Sequence, residues 1–298
     1  MASESAGQDA QGAAQHVSPG SLYVVATPVG NLGDMTARAR DVLLGVDRIV
    51  AEDTRVTAKL LAHCGIAKRA SALHAHNEAR RVDELVRLLA SGESVALVSD
   101  AGTPAISDPG ARIVRAAHEA GHAVIPIPGA CALVAAVSAG GLVAERFVFV
   151  GFLPLQAKAR RALLDSVSPL PFAVVVYEAP HRVRQTVRDL ADALGPERAL
   201  VIARELTKRF EEVVRVRAAD ADAWFAADAN RVRGEFVLVV DAAPPREAAV
   251  GVTAEVDAWL RALVAELPAA AAARVAAAAT GIARDVLYAR ASELKRSR

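Results

Sequence analysis

The stretch Val98-Ser-Asp-Ala-Gly-Thr-Pro-Ala-Ile-Ser-Asp-Pro-Gly110 decides the fold. An apolar run, Val95-Ala-Leu-Val98, passes straight into small and acidic residues and then into a helix start, the pattern of a strand that ends at a ligand-binding turn in an open parallel sheet. Gly102 lets backbone approach a ligand where a Cβ would obstruct it. Asp108 is suited to cap the following helix, with Pro109 at its first position, so the sequence predicts a rigid turn closed by a helix over 110–120. The same residues would populate any surface loop. A bare strand-to-helix connection, however, needs only about 2–6 residues, and this one is longer.

Working outward, strands at 22–27, 48–52 and 73–76, and others beginning at Val95 and Val124, interleave with helices at 36–44, 54–63, 78–89 and 130–139. Such alternation predicts a mostly parallel sheet covered on both faces. From about Arg146 the balance changes: strands at 147–152, 172–178, 200–205, 212–217 and 235–240 outnumber helices near 158–167, 180–193 and 220–227. That predicts a mixed second domain whose last strands pair antiparallel, with the natural ligand site in the cleft between the two blocks. Ala242-Ala-Pro-Pro-Arg246 reads as a linker. Beyond it, helices at 254–266, 268–279 and 282–294, with a Thr280-Gly281 turn, have a helix-turn-helix outline. The expected architecture is therefore α/β: a disordered extension over 1–20, a parallel α/β domain over 21–140, a mixed α/β domain over 141–242, and a linker with helical appendage over 243–298.

The 298 residues are 53% hydrophobic and 23% charged, as in an ordinary globular protein. A net charge of +1 gives no global reason to bind nucleic acid, so any such contact must be local. One local candidate is the last 25 residues, where Arg274, Arg284, Arg290, Lys295, Arg296 and Arg298 face only Asp285 and Glu293. Cys64 and Cys131 are far apart and lack metal-site spacing, which argues against a disulfide framework and fits a reducing cytoplasm. Residues 123–144 carry no charge over a membrane-spanning length, but Pro126, Pro128, Gly129 and Gly140-Gly141 break them into strand, turn and helix, and no membrane contact is expected. The polar N-terminus has no apolar segment of the kind that directs secretion.

Polar clusters close the predicted strands. Val24-Val-Ala-Thr-Pro-Val-Gly-Asn-Leu-Gly-Asp-Met-Thr36 follows the first, Glu52-Asp-Thr-Arg55 the second and His74-Ala-His-Asn-Glu78 the third. His74 and His76 have a spacing that could ligate a metal, but no third ligand is evident and no metal is expected. Asp53 could equally be a helix cap with Arg55 solvated. Pro180 reads as a helix start that would place His181 and Arg182 in the first turn, within reach of a phosphate or ribose.

Adding Ser99-Asp-Ala-Gly-Thr-Pro104, Pro128-Gly-Ala-Cys-Ala132, Glu178-Ala-Pro-His-Arg182, Ala203-Arg-Glu-Leu-Thr-Lys208 and Gly234-Glu-Phe-Val-Leu-Val-Val240, the series over 20–241 closely resembles one family. It is similar to the small-subunit ribosomal RNA 2′-O-ribose cytidine methyltransferases, a branch of the tetrapyrrole methylase superfamily. The resemblance implies an S-adenosylmethionine-dependent enzyme acting on small-subunit ribosomal RNA or the assembled small subunit, and a homodimer. It implies cofactor contacts at Pro28, at Asp100, Ala101, Gly102, Thr103 and Ile106, at Gly129, Cys131 and Ala132, and near Glu178 and Leu206. Porphyrin-type relatives usually read Gly-Pro-Gly-Asp in the first loop, and Thr27-Pro-Val-Gly-Asn31 departs from that. The departure favours the RNA branch. The alternatives are a corrin or porphyrin C-methyltransferase and a non-catalytic RNA-binding assembly protein. Methyl transfer to a hydroxyl needs positioning and a base. Glu52 and Asp53 are the candidates at a strand end, and Lys208 could stabilise negative charge or hold a phosphate.

Overall fold

The computed structural model describes residues 17–73, 78–142, 146–243 and 252–296. They form two compact units, one running to Ala242 and a smaller one from Ala243. The larger contains two five-stranded sheets.

The first sheet holds β1 (Leu22–Val25), β2 (Arg48–Ala51), β3 (Ala70–Ala72), β4 (Val95–Val98) and β5 (Val124–Ile127), in the order β3-β2-β4-β1-β5. All its pairings are parallel. Covered on both faces, its central strand β4 is a continuous apolar run, Val-Ala-Leu-Val, with every residue buried. On one face lie α1 (Ala37–Gly45) and α2 (Thr54–His63), packing Val42, Leu43 and Leu61 against Tyr23 and Ile49. On the other lie α3 (Glu78–Ala90) and α4 (Ala111–Glu119), packing Leu85, Leu89 and Ile113 against Leu22 and Leu97.

The second sheet holds β6 (Phe147–Phe152), β7 (Ala173–Glu178), β8 (Ala199–Arg204), β9 (Glu212–Arg217) and β10 (Phe236–Val240). Its order is β6-β7-β10-β8-β9: β6 and β7 are parallel and the other pairs antiparallel, the mixed pattern expected. α6 (Ala157–Val167), α7 (Val183–Leu194) and α8 (Ala221–Ala226) cover one face. The other receives α5 (Ala132–Ala139), whose Leu133 and Ala136 pack on Val175, Val201 and Val239. α5 follows β5 of the first sheet, so this contact fixes the two sheets against each other.

In the smaller unit, α9 (Ala254–Glu266), α10 (Ala269–Thr280) and α11 (Arg284–Arg296) bury Leu260, Ala273, Leu287 and Leu294 around a core of their own. Gly281 ends α10 in the left-handed conformation at φ 71°, as a helix terminus of this kind favours. Among the described residues no helix is long and apolar enough to cross a membrane.

Several boundaries differ from the sequence reading. Residues 17–20 belong to the fold rather than to an extension: Ser18 N–H donates to the Tyr23 hydroxyl at 2.8 Å and Gly20 N–H to the Gly92 carbonyl at 3.0 Å. The third strand covers 70–72, where it pairs with Ile49 to Ala51; of the expected 73–76, only Leu73 is among the described residues. α4 begins at Ala111 behind Gly110, with no side-chain cap, because Asp108 faces elsewhere. α7 begins at Val183: a turn in which Arg182 and Val183 N–H both donate to the Ala179 carbonyl holds residues 180–182 outside the helix.

Candidate active site

The carboxyl ends of β1, β4 and β5 are tied into one frame. Thr27 and Gly102 exchange two backbone hydrogen bonds, Thr27 N–H to Gly102 at 2.8 Å and Gly102 N–H to Thr27 at 3.0 Å. The Thr27 hydroxyl, on a side chain only 2% exposed, also donates to the Ser99 carbonyl at 3.1 Å. Thr103 Oγ1 donates to the Ala130 carbonyl at 3.1 Å, joining the turn after β4 to the loop after β5. From the second sheet, the Tyr177 hydroxyl accepts the Leu133 N–H at 3.0 Å, at the start of α5. Between these strand ends lies a cavity of about 290 Å³, at about the lower end of the usual range for ligand sites.

Strained backbone surrounds it. The four non-glycine residues at positive φ among those described are Ala105 (66°), Ser107 (64°), Glu205 (50°) and Thr207 (66°). They lie in the turn after β4 and the loop after β8, both of which supply cavity walls. Such outliers persist only where surrounding structure over-determines them, and they cluster at ligand clamps. The loop after β8 also presses on the first loop, since a Cβ at Gly30 would stand 2.4 Å from Lys208 Cγ. Only glycine fits there.

The structure brings most of the expected residues together. Ala101, Gly102, Thr103 and Ile106 line the cavity from the turn after β4, Cys131 and Ala132 from the start of α5, and Glu178, Leu206 and Lys208 from the second sheet. Pro28 is buried beside the wall residue Val29 without lining the cavity. Gly129 serves close packing, as a Cβ there would lie 3.0 Å from that of Ala26. Asp100 also lies outside the lining; its Oδ1 accepts the Asp53 N–H at 2.8 Å and so joins the ends of β4 and β2.

Glu52 and Asp53 do not line the cavity either. Asp53 caps α2, accepting the Arg55 N–H at 2.8 Å and the guanidinium at 2.6 Å, and these bonds hold its carboxyl well below the usual carboxylate range. That is the capping arrangement, with Arg55 turned back onto Asp53. His74 and His76 lie outside the described residues. Arg182 turns inward, donating to the Leu153 carbonyl at 2.6 Å and approaching Glu178 at 3.4 Å, so its guanidinium already has internal partners.

Lys208 Nζ donates to Glu205 Oε1 at 2.9 Å and Glu235 Oε2 at 2.7 Å. Burial opposes its charge, but the bonds to Glu235 and Glu205 outweigh burial and raise its pKa above the ordinary lysine value. An ammonium has three donors, so one N–H remains to meet a ligand. Glu178 lies at the end of β7 with its side chain fully enclosed: Oε1 accepts the Ala179 N–H at 2.8 Å and Oε2 the Thr186 hydroxyl at 2.5 Å. Tyr177 packs edge-on against Phe149 and Phe152, and burial pushes its phenol up to about 12.

The sequence reading missed Phe152, Tyr177, Glu235 and the site-facing role of Asp108. Phe152 and Glu235 border strands β6 and β10, and Tyr177 is the penultimate residue of β7. The available signal was the closure of predicted strands 147–152, 172–178 and 235–240 by large or charged residues. Which ends of a mixed sheet face the cleft depends on strand order, which periodicity does not provide.

An adenosylated sulfonium cofactor fits these walls. Val29, Ile106, Ala132, Leu206 and Val237 supply apolar surface for a purine, and Asp108, Glu178 and Glu235 outnumber Lys208, which favours a cationic ligand. The turn after β4 brings the backbone of Ala101 to Thr103 to the wall without bulky side chains.

Comparison with known proteins agrees with this geometry. The family model of tetrapyrrole (corrin/porphyrin) methylases matches residues 21–222, and a model of an RsmI C-terminal HTH domain matches 250–295. The ribosomal RNA small subunit methyltransferase I of Pseudomonas aeruginosa is 46% identical over 274 residues, covering 91% of this chain and 96% of that protein. The protein of that name from Escherichia coli O157:H7 is 45% identical over 271 residues, covering 91% and 94%. Among solved structures, the methyltransferase CobJ superposes with a TM-score of 0.57 at 20% identity, covering 75% of this chain and 94% of its own. A uroporphyrin-III C-methyl transferase from Thermus thermophilus, solved with S-adenyl homocysteine, gives 0.53 at 19%, covering 74% and 97%. These two likenesses show the shared fold. The chain belongs to the tetrapyrrole (corrin/porphyrin) methylase family, among its ribosomal RNA small subunit methyltransferase I members.

Proposed function

We propose that the chain transfers a methyl group from S-adenosylmethionine to the 2′-hydroxyl of a cytidine ribose in the decoding region of small-subunit ribosomal RNA, acting as a homodimer in the cytoplasm. One observation carries the reading. Likeness to the ribosomal RNA methyltransferases extends over 91% of the chain, whereas the CobJ structure is matched over 94% of its own length and leaves a quarter of this chain over. The uroporphyrin-III C-methyl transferase is likewise matched over 97% of its own length, so an enzyme of this fold can be complete without the additional length present here.

When bound, the cofactor supplies an electrophilic methyl group on a positively charged sulfur. Ile106, Ala132 and Leu206 would hold the purine, and the backbone of Ala101 to Thr103 would meet the amino-acid end. The carboxyl groups of the wall favour positive charge in the cavity. Phe152, lining the cavity yet 52% exposed, offers an open ring on which a nucleobase can stack. Lys208, anchored by Glu205 and Glu235, presents its remaining N–H to a phosphate or to developing negative charge. Tied strand ends hold these groups in place before the ligands arrive, which is what an in-line displacement requires.

Alkaline hydrolysis tests the product. A 2′-hydroxyl is the internal nucleophile of RNA cleavage, so treated small-subunit RNA should show one protected step in its alkaline ladder. An unchanged ladder from RNA that has taken up the methyl group would contradict transfer to ribose.

A further inference from the structure

We propose that Asp108 is the proton acceptor of the reaction, taking the hydroxyl proton of the ribose as its oxygen is methylated. The inference rests on the functional reading above and assigns a group that the residue pattern marked only as a helix cap. As the bond between methyl carbon and ribose oxygen forms, the carbon–sulfur bond breaks with its electron pair left on sulfur, and the proton passes from the oxygen to an Asp108 carboxylate oxygen. Charge balances: a sulfonium and a carboxylate become a thioether and a carboxylic acid.

The first support is where the side chain lies. Asp-Pro-Gly before a helix is a capping sequence, and an aspartate there ordinarily stabilises the helix by accepting a first-turn N–H. Here α4 starts without any side-chain cap, behind Gly110 at φ 132°, and Asp108 lines the cavity instead. Ser107, immediately before it, sits at φ 64°. A local preference overridden in this way is expected at functional positions.

The second support is elimination among the groups that line the same cavity. Both Glu178 oxygens already accept hydrogen bonds. Tyr177 accepts the Leu133 N–H, and with its phenol at about 12 it keeps its proton at neutral pH. Cys131 lies beside that phenol. Lys208 carries a proton and has no lone pair to offer, and Glu235, 77% exposed on its side chain, is bound to Lys208. Asp108 is half-buried, and among the described residues its neighbours are the Ser99 hydroxyl, the Asp100 carboxylate and Tyr177, with no cation paired to it. Burial first and Asp100 second raise its pKa, against the Ser99 bond, moving it toward the range where a carboxylate is an effective base.

The test compares the parent protein with Asp108→Asn and Asp108→Glu by three measurements: calorimetric binding of S-adenosylmethionine, single-turnover methyl transfer to small ribosomal subunits across pH, and carbon-13 titration of the Asp108 carboxyl in the free protein. Asp108→Asn should still bind the cofactor, weakened only by the loss of one of the wall carboxyls. Its rate should fall by about 10²-fold or more, the usual contribution of a general base, and the acid limb of the pH profile should vanish. Asp108→Glu should regain part of the rate with a displaced limb. The carboxyl should titrate above the ordinary aspartate value, an outcome independent of whether Asp108→Asn folds. A folded Asp108→Asn protein with parental rate and acid limb would overturn the assignment, as would a carboxyl titrating at or below the ordinary value. Loss of cofactor affinity at an unchanged saturated rate would make Asp108 a cofactor anchor instead. A parent protein that methylates no RNA would overturn the functional reading, and this proposal with it.

Discussion

Gly102 carries φ 77° at the point where the turn after β4 pairs with Thr27, so its conformation matters more than its size. A Cβ there would meet the Ala130 carbonyl oxygen and Val29 at 3.7 Å, an ordinary contact. Gly102→Ala should therefore lose only the left-handed penalty, about 1–2 kcal/mol, in urea unfolding. Gly102→Val adds a branched side chain at a cavity wall and should abolish S-adenosylmethionine binding by calorimetry while the protein remains folded. Undiminished affinity in the valine variant would remove this turn from the cofactor site. Glu178 has a structural role besides lining the cavity. Its carboxyl holds Thr186 and Arg182 at the start of α7, so Glu178→Leu should destabilise the protein by about 3 kcal/mol, as does removal of one member of a buried pair, and lower Tm by several degrees. An unaltered Tm would contradict that placement.

Elements were legible where their periodicity was long and their termini ordinary. β4 could be read from four apolar residues and the Asp100-Ala-Gly turn behind them, and α9 from its run over 254–266, which Thr253 caps by accepting the Val256 N–H at 3.3 Å. The failures have a common physical form. Asp108 and Pro180 carry strong local signals for a cap and a helix start, and at both positions tertiary contacts prevailed. In the same way Asp53 was a candidate base and Asp100 an expected cofactor contact, but one caps α2 and accepts Arg55 while the other holds the Asp53 N–H. A further link, at the opposite end of the same sheet, is visible only in the structure: Asp47 Oδ2 accepts the Ser94 N–H at 2.8 Å and its hydroxyl at 2.6 Å, joining the starts of β2 and β4. The Ser94 hydroxyl, then its N–H, holds the Asp47 carboxyl below the ordinary aspartate value. A carboxyl whose pKa is lower folded than unfolded adds stability above its unfolded value and loses that contribution as pH falls through the folded one. Asp47→Asn should accordingly be less stable than the parent at pH 7, with the difference closing below about pH 4. Urea midpoints measured across that range decide it, and a difference that does not change with pH would mean the link is not ionic.

For the whole molecule, the smaller unit changes how the basic C-terminus should be viewed. Arg290 is not spare charge: it donates to Asp257 at 2.6 Å and Glu293 at 2.9 Å, and Lys295 donates to the Leu267 carbonyl at 3.3 Å. Arg274, Arg284 and Arg296 remain exposed, and Arg298 lies outside the described residues. If these contact phosphates, deleting 246–298 should weaken binding to the small subunit and flatten its salt dependence while sparing cofactor affinity, because the cavity is built entirely within the larger unit. An identical affinity and salt slope after truncation would exclude the unit as an RNA anchor. The claim on which the account rests is that this fold delivers its methyl group to a ribose of ribosomal RNA. The most direct measurement is nucleoside mass spectrometry of small-subunit RNA incubated with the protein and isotopically labelled S-adenosylmethionine. The account predicts label on the ribose of a single cytidine; label confined to a nucleobase, or RNA left unlabelled while a tetrapyrrole is methylated, would contradict it.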